Sequence, residues 1–364
     1  MKIFHNTQHA LHAGRQEMFR GRLVDCHEVP QRLQHVLDEL ARRPVGSLVQ
    51  PASDLPLDAA LLQVHSADYL HFLAHAWDDW VALDPANAAL DALPSVWPLA
   101  SKHGFRTDAP PLNFAARLGQ YAFDSGTPLT AGSWAAAREG AACALAAAHA
   151  VLPDKGAEGA SGVAGMAGER FAMALTRPPG HHAGPNYMGG YCFINNAAVA
   201  AQALRDGGRQ RVAVLDVDYH HGNGTQTCFY ERSDVFTASL HGDPRTEYPF
   251  FLGHADERGA GAGEGFNLNL PLPKGTGFEL WWATLQTALQ AVADFAPQAL
   301  VVPLGLDTFE GDPISGFKLR SADYLKLGQA IAQLGLPTVL TFEGGYALAQ
   351  VGVNTVNVLE GLGR

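Results

Sequence analysis

Short apolar runs alternate with helical patterns from about residue 170 onward, and this alternation limits the possible fold more than any other feature. Strands that alternate with helices predict a mostly parallel sheet with helices on both faces, which is an α/β fold. In such a sheet the functional residues lie beyond the carboxyl ends of the strands. The predicted strands are 171–175, 211–215, 235–240, 266–270, 300–304 and 338–342, and the predicted helices between or after them are 196–205, 278–295, 321–334 and 348–359.

The first third of the chain is less regular. Residues 61–80 and 133–152 have helical patterns. The 84–132 segment has weak periodicity and predicts a long loop layer rather than a separate domain, and the Gly-rich 153–168 segment predicts a surface excursion. The length of 364 residues fits one large α/β domain or two medium ones.

Composition argues against several classes of function. The formal net charge of −11 disfavours a nucleic-acid partner, because phosphate binding requires a surplus of Lys and Arg, and it is more compatible with a cationic small molecule. The N-terminus has no apolar signal segment and no stretch of 18 apolar residues occurs, so neither export nor a membrane span is expected. Scattered cysteines predict reduced thiols in a cytoplasmic protein. They are Cys26, Cys143, Cys192 and Cys228.

The run 214–224 places two carboxylates and two imidazoles directly after a buried strand. Asp216, Asp218 and His220 share one side if the extended backbone persists. Burial of two acids side by side is unfavourable without a cation, so a divalent ion of the zinc class is the simplest interpretation. A solvated polar turn is the alternative. Asp307 follows another strand and can complete a site with two carboxylates, one imidazole and a free position, as in hydrolytic metal sites.

Two further strand ends carry candidate catalytic groups. His181 and His182 follow a rigid turn of prolines and glycine, and adjacent imidazoles suit general acid–base chemistry, although surface histidines are also common. Tyr346 follows a glycine pair and could polarise a carbonyl opposite the metal, while a buried structural tyrosine is the alternative. Asp312 precedes a proline and is expected to shape a turn, and His221 is expected to point away from the metal.

Five motifs, in order and spacing over nearly the whole chain, resemble the histone deacetylase family. They are RPPGHHAG (177–184), GGYCFINNAAVAA (189–201), LDVDYHHGNGTQ (215–226), GLDTFEGDP (305–313) and EGGY (343–346). Other segments resemble the bacterial acetylpolyamine amidohydrolase branch of that family. They are HSADYLHFL (65–73), the 84–132 segment, SLHGDP (239–244) and YPFFLG (248–253).

The resemblance implies a single domain over 1–364 with the arginase/deacetylase fold, an eight-stranded parallel sheet flanked by helices. It implies a zinc-dependent amidohydrolase that acts on linear amide C–N bonds, in which one Zn²⁺ per chain (or Fe²⁺) activates a water. It also implies a structural K⁺. The implied roles are zinc on Asp218, His220 and Asp307; catalysis by His181, His182 and Tyr346; support of the histidines by Asp216 and Asn223; potassium on Asp216, Asp218, His220, Ser239 and Leu240; and substrate contact by Gly190, Tyr191 and Tyr248.

The implied substrates are N-acetylated polyamines such as acetylputrescine, acetylspermidine and acetylcadaverine. Relatives in this branch form homodimers in which a segment like 84–132 narrows the tunnel and offers acidic residues; Asp108 and Asp124 are the candidates here. Because 114–120 carries Arg117 and no carboxylate, acetyl-lysine peptides or another small N-acyl amine remain alternatives. A non-catalytic sensor of acetylated ligands and an arginase-type ureohydrolase are the more distant ones.

Overall fold

The computed structural model describes residues 1–97, 109, 111–153 and 168–364. Its centre is an eight-stranded, wholly parallel sheet with the strand order β4-β1-β5-β10-β9-β6-β7-β8. These strands are β1 (Lys2–His5), β4 (Ser47–Val49), β5 (Phe171–Leu175), β6 (Val212–Asp216), β7 (Val235–Gly242), β8 (Asn267–Leu272), β9 (Ala299–Leu304) and β10 (Thr338–Phe342). A separate antiparallel hairpin consists of β2 (Gln16–Phe19) and β3 (Arg22–Asp25).

Helices cover both faces of the sheet. They are α1 (Gln31–Arg42), α2 (Leu57–Leu62), α3 (Ala67–Leu83), α4 (Phe114–Gln120), α5 (Ser133–Val151), α6 (Asn196–Asp206), α7 (Asn223–Phe229), α8 (Phe278–Phe295), α9 (Ser321–Gln333) and α10 (Leu348–Leu362). None of the helices in the described residues is long and apolar enough to cross a membrane.

Strand residues alternate between the two sides of the sheet, as the two-residue period of a strand requires. In β6, Val212 and Val214 pack into the hydrophobic cluster under α5 and α6. Ala213 and Leu215 pack into the opposite cluster, which contains the apolar faces of α1, α8, α9 and α10. Because both faces are buried, the central strands are continuous apolar runs, and the predicted α/β fold with a single domain is confirmed.

Several boundaries differ from the sequence prediction. The helix expected over 61–80 is two helices, α2 and α3. The backbone between them docks on another loop, where Ser66 N–H donates to the Pro185 carbonyl (2.8 Å) and the His65 ring lies 2.9 Å from the Gly184 carbonyl. The strand expected to begin at residue 211 begins at Val212 and includes Asp216.

Some elements were not predicted. The edge strand β4 and its neighbour β1 are three and four residues long, too short for a clear alternation pattern. The 84–132 segment, expected as a loop layer, contains helix α4, and its Ala92 pairs with Leu129 in an isolated bridge. Asp108 and nearly all of the Gly-rich 153–168 segment lie outside the described residues.

Candidate active site

The candidate residues converge at the carboxyl edge of the central strands. The loops that follow β5, β10, β9 and β6 meet there because these strands are consecutive neighbours in the sheet. The four loops carry the His181–His182 pair, Glu343 and Tyr346, Asp307, and Asp218 with His220 respectively. Residues more than a hundred positions apart in sequence are therefore assembled by the strand order.

Asp218, His220 and Asp307 form a buried group that could hold a metal ion. One ligand atom of each lies within 4.8 Å of the others. His220 Nδ1 is 3.0 Å from Asp307 Oδ2 and 3.5 Å from Asp218 Oδ1. Backbone N–H groups orient the carboxylates: Gly344 donates to Asp218 (2.9 Å) and Tyr219 donates to Asp307 (2.9 Å). The predicted set is thus brought together with its donor atoms facing one point.

The electrostatics of this group fit a divalent cation. Burial and the neighbouring Asp218 carboxylate raise the pKa of Asp307 to about 7. Two buried carboxylates in one site repel each other, and a bound cation removes that repulsion. Gly344 allows the backbone to pack against both carboxylates, because a Cβ at this position would lie 2.6 Å from Asp218 Oδ2 and from Asp307 Oδ2. Two carboxylates and one imidazole are a donor set that zinc accepts, with a position left for substrate or water.

His181 and His182 lie beside this group, with ring centroids 4.0 Å apart. His181 Nδ1 is 3.0 Å from Asp216 Oδ2, and His182 Nδ1 is 2.6 Å from Asn223 Oδ1. Because an amide oxygen only accepts, this contact fixes the proton of neutral His182 on Nδ1 and leaves Nε2 free. The two partners are those that the family resemblance implied.

The environments of the two histidines drive their pKa values apart. Burial opposes protonation of His181, but the carboxylates of Asp218 and Asp216 outweigh it and raise its pKa to about 10. Burial, together with the neighbouring charge of His181, lowers the pKa of His182 well below its usual value. A cation on Asp218 would offset part of that residue's charge and bring the pKa of His181 down. His182 is therefore the imidazole that releases its proton more easily and is the candidate base, whereas His181 holds its proton more strongly.

Tyr346 lies on the other side of the cavity floor. Burial raises the pKa of its phenol well above the ordinary value, so the hydroxyl stays protonated and can donate a hydrogen bond. Its backbone N–H donates to Asp312 Oδ2 (2.7 Å), while Ile314 N–H donates to Asp312 Oδ1 (3.0 Å). Asp312 shapes a turn, as predicted, but it also fixes the Tyr346 backbone, a role that sequence reasoning did not find.

Arg32, at the start of α1, supports Tyr346 from below, and sequence reasoning missed it too. Its guanidinium carbon lies 4.5 Å from the centroid of the Tyr346 ring. Its N–H groups donate to the Gly345 carbonyl (2.7 Å), to the Glu343 carbonyl and to Glu28 Oε1 (2.8 Å). An arginine at a helix start gives no signal of this role in the sequence, since the Gly345 and Glu343 carbonyls that it holds are more than 300 positions away.

We expect Arg32→Lys to lower kcat by up to about 10²-fold, because an ammonium cannot reproduce the planar fork that holds the loop of Tyr346. Steady-state kinetics measure this loss, and thermal unfolding of the same sample checks that the variant is folded. A kcat equal to that of the parent protein would show that the tyrosine is positioned without this contact.

A cavity of about 490 Å³ leads from solvent to these residues. Buried side chains form its floor, partly buried ones its wall and exposed ones its mouth. The floor includes His181, His182, Asp218, His220 and Tyr346; the wall includes Phe123, Asp124, Gly190, Tyr191 and Tyr248; and the mouth includes Met18, Arg20, Phe250 and Phe251. The predicted substrate-contacting residues Gly190, Tyr191 and Tyr248 thus all line the cavity.

The wall has a defined shape. Gly190 and Tyr191 both have positive φ, 54° and 66°, and a Cβ on Gly190 would lie 2.2 Å from the His182 ring. Asp124 fixes this turn, because its Oδ2 accepts from Gly190 N–H (2.6 Å) and from the Tyr248 hydroxyl (2.7 Å). The sequence marked Asp124 only as an acid near the tunnel. The structure adds that its carboxylate ties opposite parts of the wall together.

Two smaller predictions concern the neighbourhood of Asp216. His221 turns away from the metal-binding group and its Nε2 lies 3.0 Å from Gln226 Oε1, so the expectation that it is not a ligand agrees with its position. Asp216 is the register neighbour of Ser239 on β7, next to Leu240. That pairing brings together part of the predicted potassium set, which stays a prediction.

Comparison with known proteins identifies the family. The histone deacetylase domain family matches residues 26–362. Acetylpolyamine amidohydrolase 2 of Pseudomonas aeruginosa is 46% identical over 363 residues, which cover 100% of this chain and 98% of that protein. The acetylpolyamine amidohydrolase of Mycoplana ramosa is 43% identical over 364 residues, with coverages of 100% and 99%.

A solved structure agrees with the sequence relatives. The crystal structure of an acetylpolyamine aminohydrolase from Burkholderia pseudomallei has a TM-score of 0.89 and 36% identity, and the match covers 100% of this chain and 98% of that chain. The predicted resemblance to the bacterial branch is thereby confirmed. The chain belongs to the histone deacetylase family.

Proposed function

We propose that this protein is a zinc-dependent deacetylase that removes the acetyl group from N-acetylated polyamines. The observation that carries the proposal is one cavity floor where Asp218 and His220, two members of the group that could hold a metal ion, lie beside the His181–His182 pair and Tyr346. These are the parts that hydrolysis of an unactivated amide requires.

Asp218, His220 and Asp307 would hold the metal. When bound, such an ion supplies Lewis-acid chemistry and lowers the pKa of water from about 16 toward 7. His182 Nε2 accepts the proton of the attacking water, because Nδ1 is occupied by Asn223. His181, held by Asp216, stabilises the charge and supplies a proton to the leaving amine. The Tyr346 hydroxyl donates a hydrogen bond to the oxyanion that forms from the substrate carbonyl. The products are acetate and a free amine.

The cavity wall suits a short cationic chain. Aromatic rings surround the path from mouth to floor, and Tyr248 lies with its ring centroid 5.0 Å from that of His182 and 5.7 Å from that of Phe123. Asp124 adds a carboxylate to this aromatic wall. A polymethylene chain with an ammonium group fits apolar walls that carry one acid. The formal net charge of −11 favours the approach of a cation.

A substrate panel tests the proposal. Purified protein loaded with zinc is assayed for acetate release from N-acetylputrescine, N-acetylcadaverine, N8-acetylspermidine and an acetyl-lysine peptide. The expected result is the highest kcat/KM on the acetylated amines. Highest turnover on the peptide would instead assign a lysine deacetylase, and no zinc-dependent acetate release from any of the substrates would refute the proposal.

The pH dependence tests the assignment of the base. The pKa of His182 is depressed, and the neutral imidazole that can act as a base exists above that pKa. The value of kcat/KM for the parent protein should therefore fall only well below pH 6.5. We expect Asn223→Asp to raise the pKa of His182 by about one to two units, since a carboxylate beside Nδ1 favours the imidazolium. The acid limb of the pH–rate profile should move to higher pH by that amount. An acid limb that does not move would exclude His182 as the base.

Three finer points remain part of the proposal. They are Fe²⁺ as a substitute for zinc, a structural K⁺ near Asp216 and Ser239, and a homodimer formed through the 84–132 segment. Metal analysis of the purified protein measures the first two, and light scattering of the protein in solution measures the third.

A further inference from the structure

The mouth of the cavity carries a fixed positive charge. Arg20 lies at the tip of the β2–β3 hairpin, where Phe19 pairs with Arg22 and the turn consists of Arg20 and Gly21. Both turn residues have positive φ, 50° and 80°, as a two-residue hairpin turn of the primed type requires. The hairpin therefore holds the Arg20 backbone in one conformation beside the cavity entrance.

The Arg20 side chain is also anchored. Its guanidinium carbon lies 5.1 Å from the centroid of the Phe19 ring, and its Nη2 is 3.6 Å from Glu247 Oε2. Glu247 is buried, whereas the Arg20 side chain is 55% exposed. The guanidinium of Arg20 thus keeps exposed N–H donors at the mouth while its Nη2 lies beside Glu247, the residue before Tyr248 of the wall.

This part of the mouth has a surplus of positive charge. Glu247 serves two cations, because Lys274 Nζ lies 3.4 Å from its other oxygen. One carboxylate cannot neutralise both Arg20 and Lys274. The nearby Asp243 does not compensate, since it pairs with Arg245. An anion at the mouth would be stabilised here, and a cation would be repelled.

Charge therefore changes sign along the cavity. The buried floor holds the candidate catalytic residues, the partly buried Asp124 supplies a negative charge in the wall, and the exposed Arg20 supplies a positive charge at the mouth. We place the first ammonium of an extended substrate beside Asp124 when its acetyl group lies on the floor, because Asp124 is the acid of the wall. The groups that follow this ammonium then lie at the mouth, which Arg20 lines.

We propose that Arg20 is a specificity-determining residue that selects the charge at the far end of the substrate, favouring a carboxylate and disfavouring a second ammonium. The inference rests on the proposed function, since it concerns the amines accepted by the same site. It extends the substrate class to ω-N-acetylated amino acids, such as free Nε-acetyl-lysine. A half-exposed charge near the substrate changes relative kcat/KM by about three- to tenfold.

Three substrates with the same four-methylene spacer isolate the effect. N-acetylputrescine ends in one ammonium, N8-acetylspermidine continues to a second, and free Nε-acetyl-lysine carries a carboxylate beside its ammonium. We expect Arg20→Gln to raise kcat/KM for N8-acetylspermidine relative to N-acetylputrescine by about three- to tenfold and to lower it for Nε-acetyl-lysine by a similar factor. Arg20→Lys should retain the parent ratios, and both shifts should shrink in high salt.

Arg42→Gln is the matched control, because Arg42 ends α1 at the opposite edge of the sheet, shortly before β4 begins. Arg42→Gln removes one guanidinium charge at a site distant from the mouth, so the ratios of kcat/KM among the three substrates should stay unchanged. Turnover of N-acetylputrescine with ratios that do not move in Arg20→Gln would overturn the role of Arg20 and leave the proposed function intact. Loss of turnover on all three substrates by the parent protein would instead refute the proposed function.

Discussion

Asp307→Asn should abolish zinc binding and lower kcat/KM by about 10³-fold or more, because it removes one of three metal ligands and the several kcal/mol that the ion contributes to the reaction. The asparagine oxygen can still accept the hydrogen bond from Tyr219 N–H, whereas the amide nitrogen that replaces Oδ2 cannot coordinate a cation. Zinc content per chain and acetate release on the same sample measure the two effects together.

Without metal, the Asp307→Asn variant should be more stable than the parent protein, although it is the less active of the two. The pKa of Asp307 is raised to about 7 in the folded chain. The folded state therefore loses stability as the pH rises from the pKa of this carboxyl in the unfolded chain through 7. Metal-free Asp307→Asn lacks the carboxylate charge and should unfold at a higher temperature than the metal-free parent at pH 8, with a smaller difference at pH 5. Zinc should raise the unfolding temperature of the parent only.

Asp234→Asn is the control for both measurements. Asp234 precedes β7 at the opposite edge of the sheet and pairs with Arg205 and Arg232. Asp234→Asn removes one carboxylate charge, as Asp307→Asn does, but at a residue that does not line the cavity. Its zinc content and acetate release should therefore equal those of the parent protein. An Asp307→Asn protein that keeps one zinc per chain and full turnover would remove Asp307 from the metal site.

Tyr346→Phe should lower kcat by about 10²–10³-fold, the usual cost of losing one oxyanion donor, with little change in zinc content. The phenyl ring can keep its contact with Arg32 and its edge-to-face contact with Tyr191, whose centroid is 5.7 Å away. The loss is therefore assigned to the hydroxyl alone. Single-turnover kinetics with N-acetylputrescine measure the chemical step directly.

Tyr230→Phe removes a phenol hydroxyl at the end of α7 and serves as the matched control. Its kcat should equal that of the parent. A Tyr346→Phe protein with undiminished kcat would show that the metal and the histidine pair suffice to stabilise the oxyanion, and the proposed mechanism would lose its third component.

The parts of the fold that were predictable follow from local patterns. The central strands and α8 are long apolar or amphipathic runs, and the observed bounds of α8, Phe278–Phe295, are those predicted. The short strands β1 and β4 are defined by pairing, of β1 with β5 and of β4 with β1, which no local pattern reveals. The break between α2 and α3 arises from contacts with residues more than a hundred positions away.

The same distinction applies to the site. His181, Asp218 and Asp307 directly follow apolar strands, and their side-chain chemistry makes them visible in the sequence. Arg32 and Asp312 act on Tyr346 through contacts formed only in the folded chain. The sequence therefore indicates the reacting groups, whereas the groups that position them become evident only in the folded structure. Arg20 likewise gives no signal in the sequence, since its place at the cavity mouth depends on where the β2–β3 hairpin lies.

Removal and return of the metal show whether hydrolysis depends on zinc held by Asp218, His220 and Asp307. The purified protein is stripped of metal by a chelator and assayed for acetate release from N-acetylputrescine before and after titration with Zn²⁺. We expect negligible turnover in the stripped protein and full recovery at one zinc per chain, with no recovery in Asp307→Asn. Turnover by the stripped protein that zinc does not increase, or recovery in Asp307→Asn equal to that of the parent, would contradict this dependence.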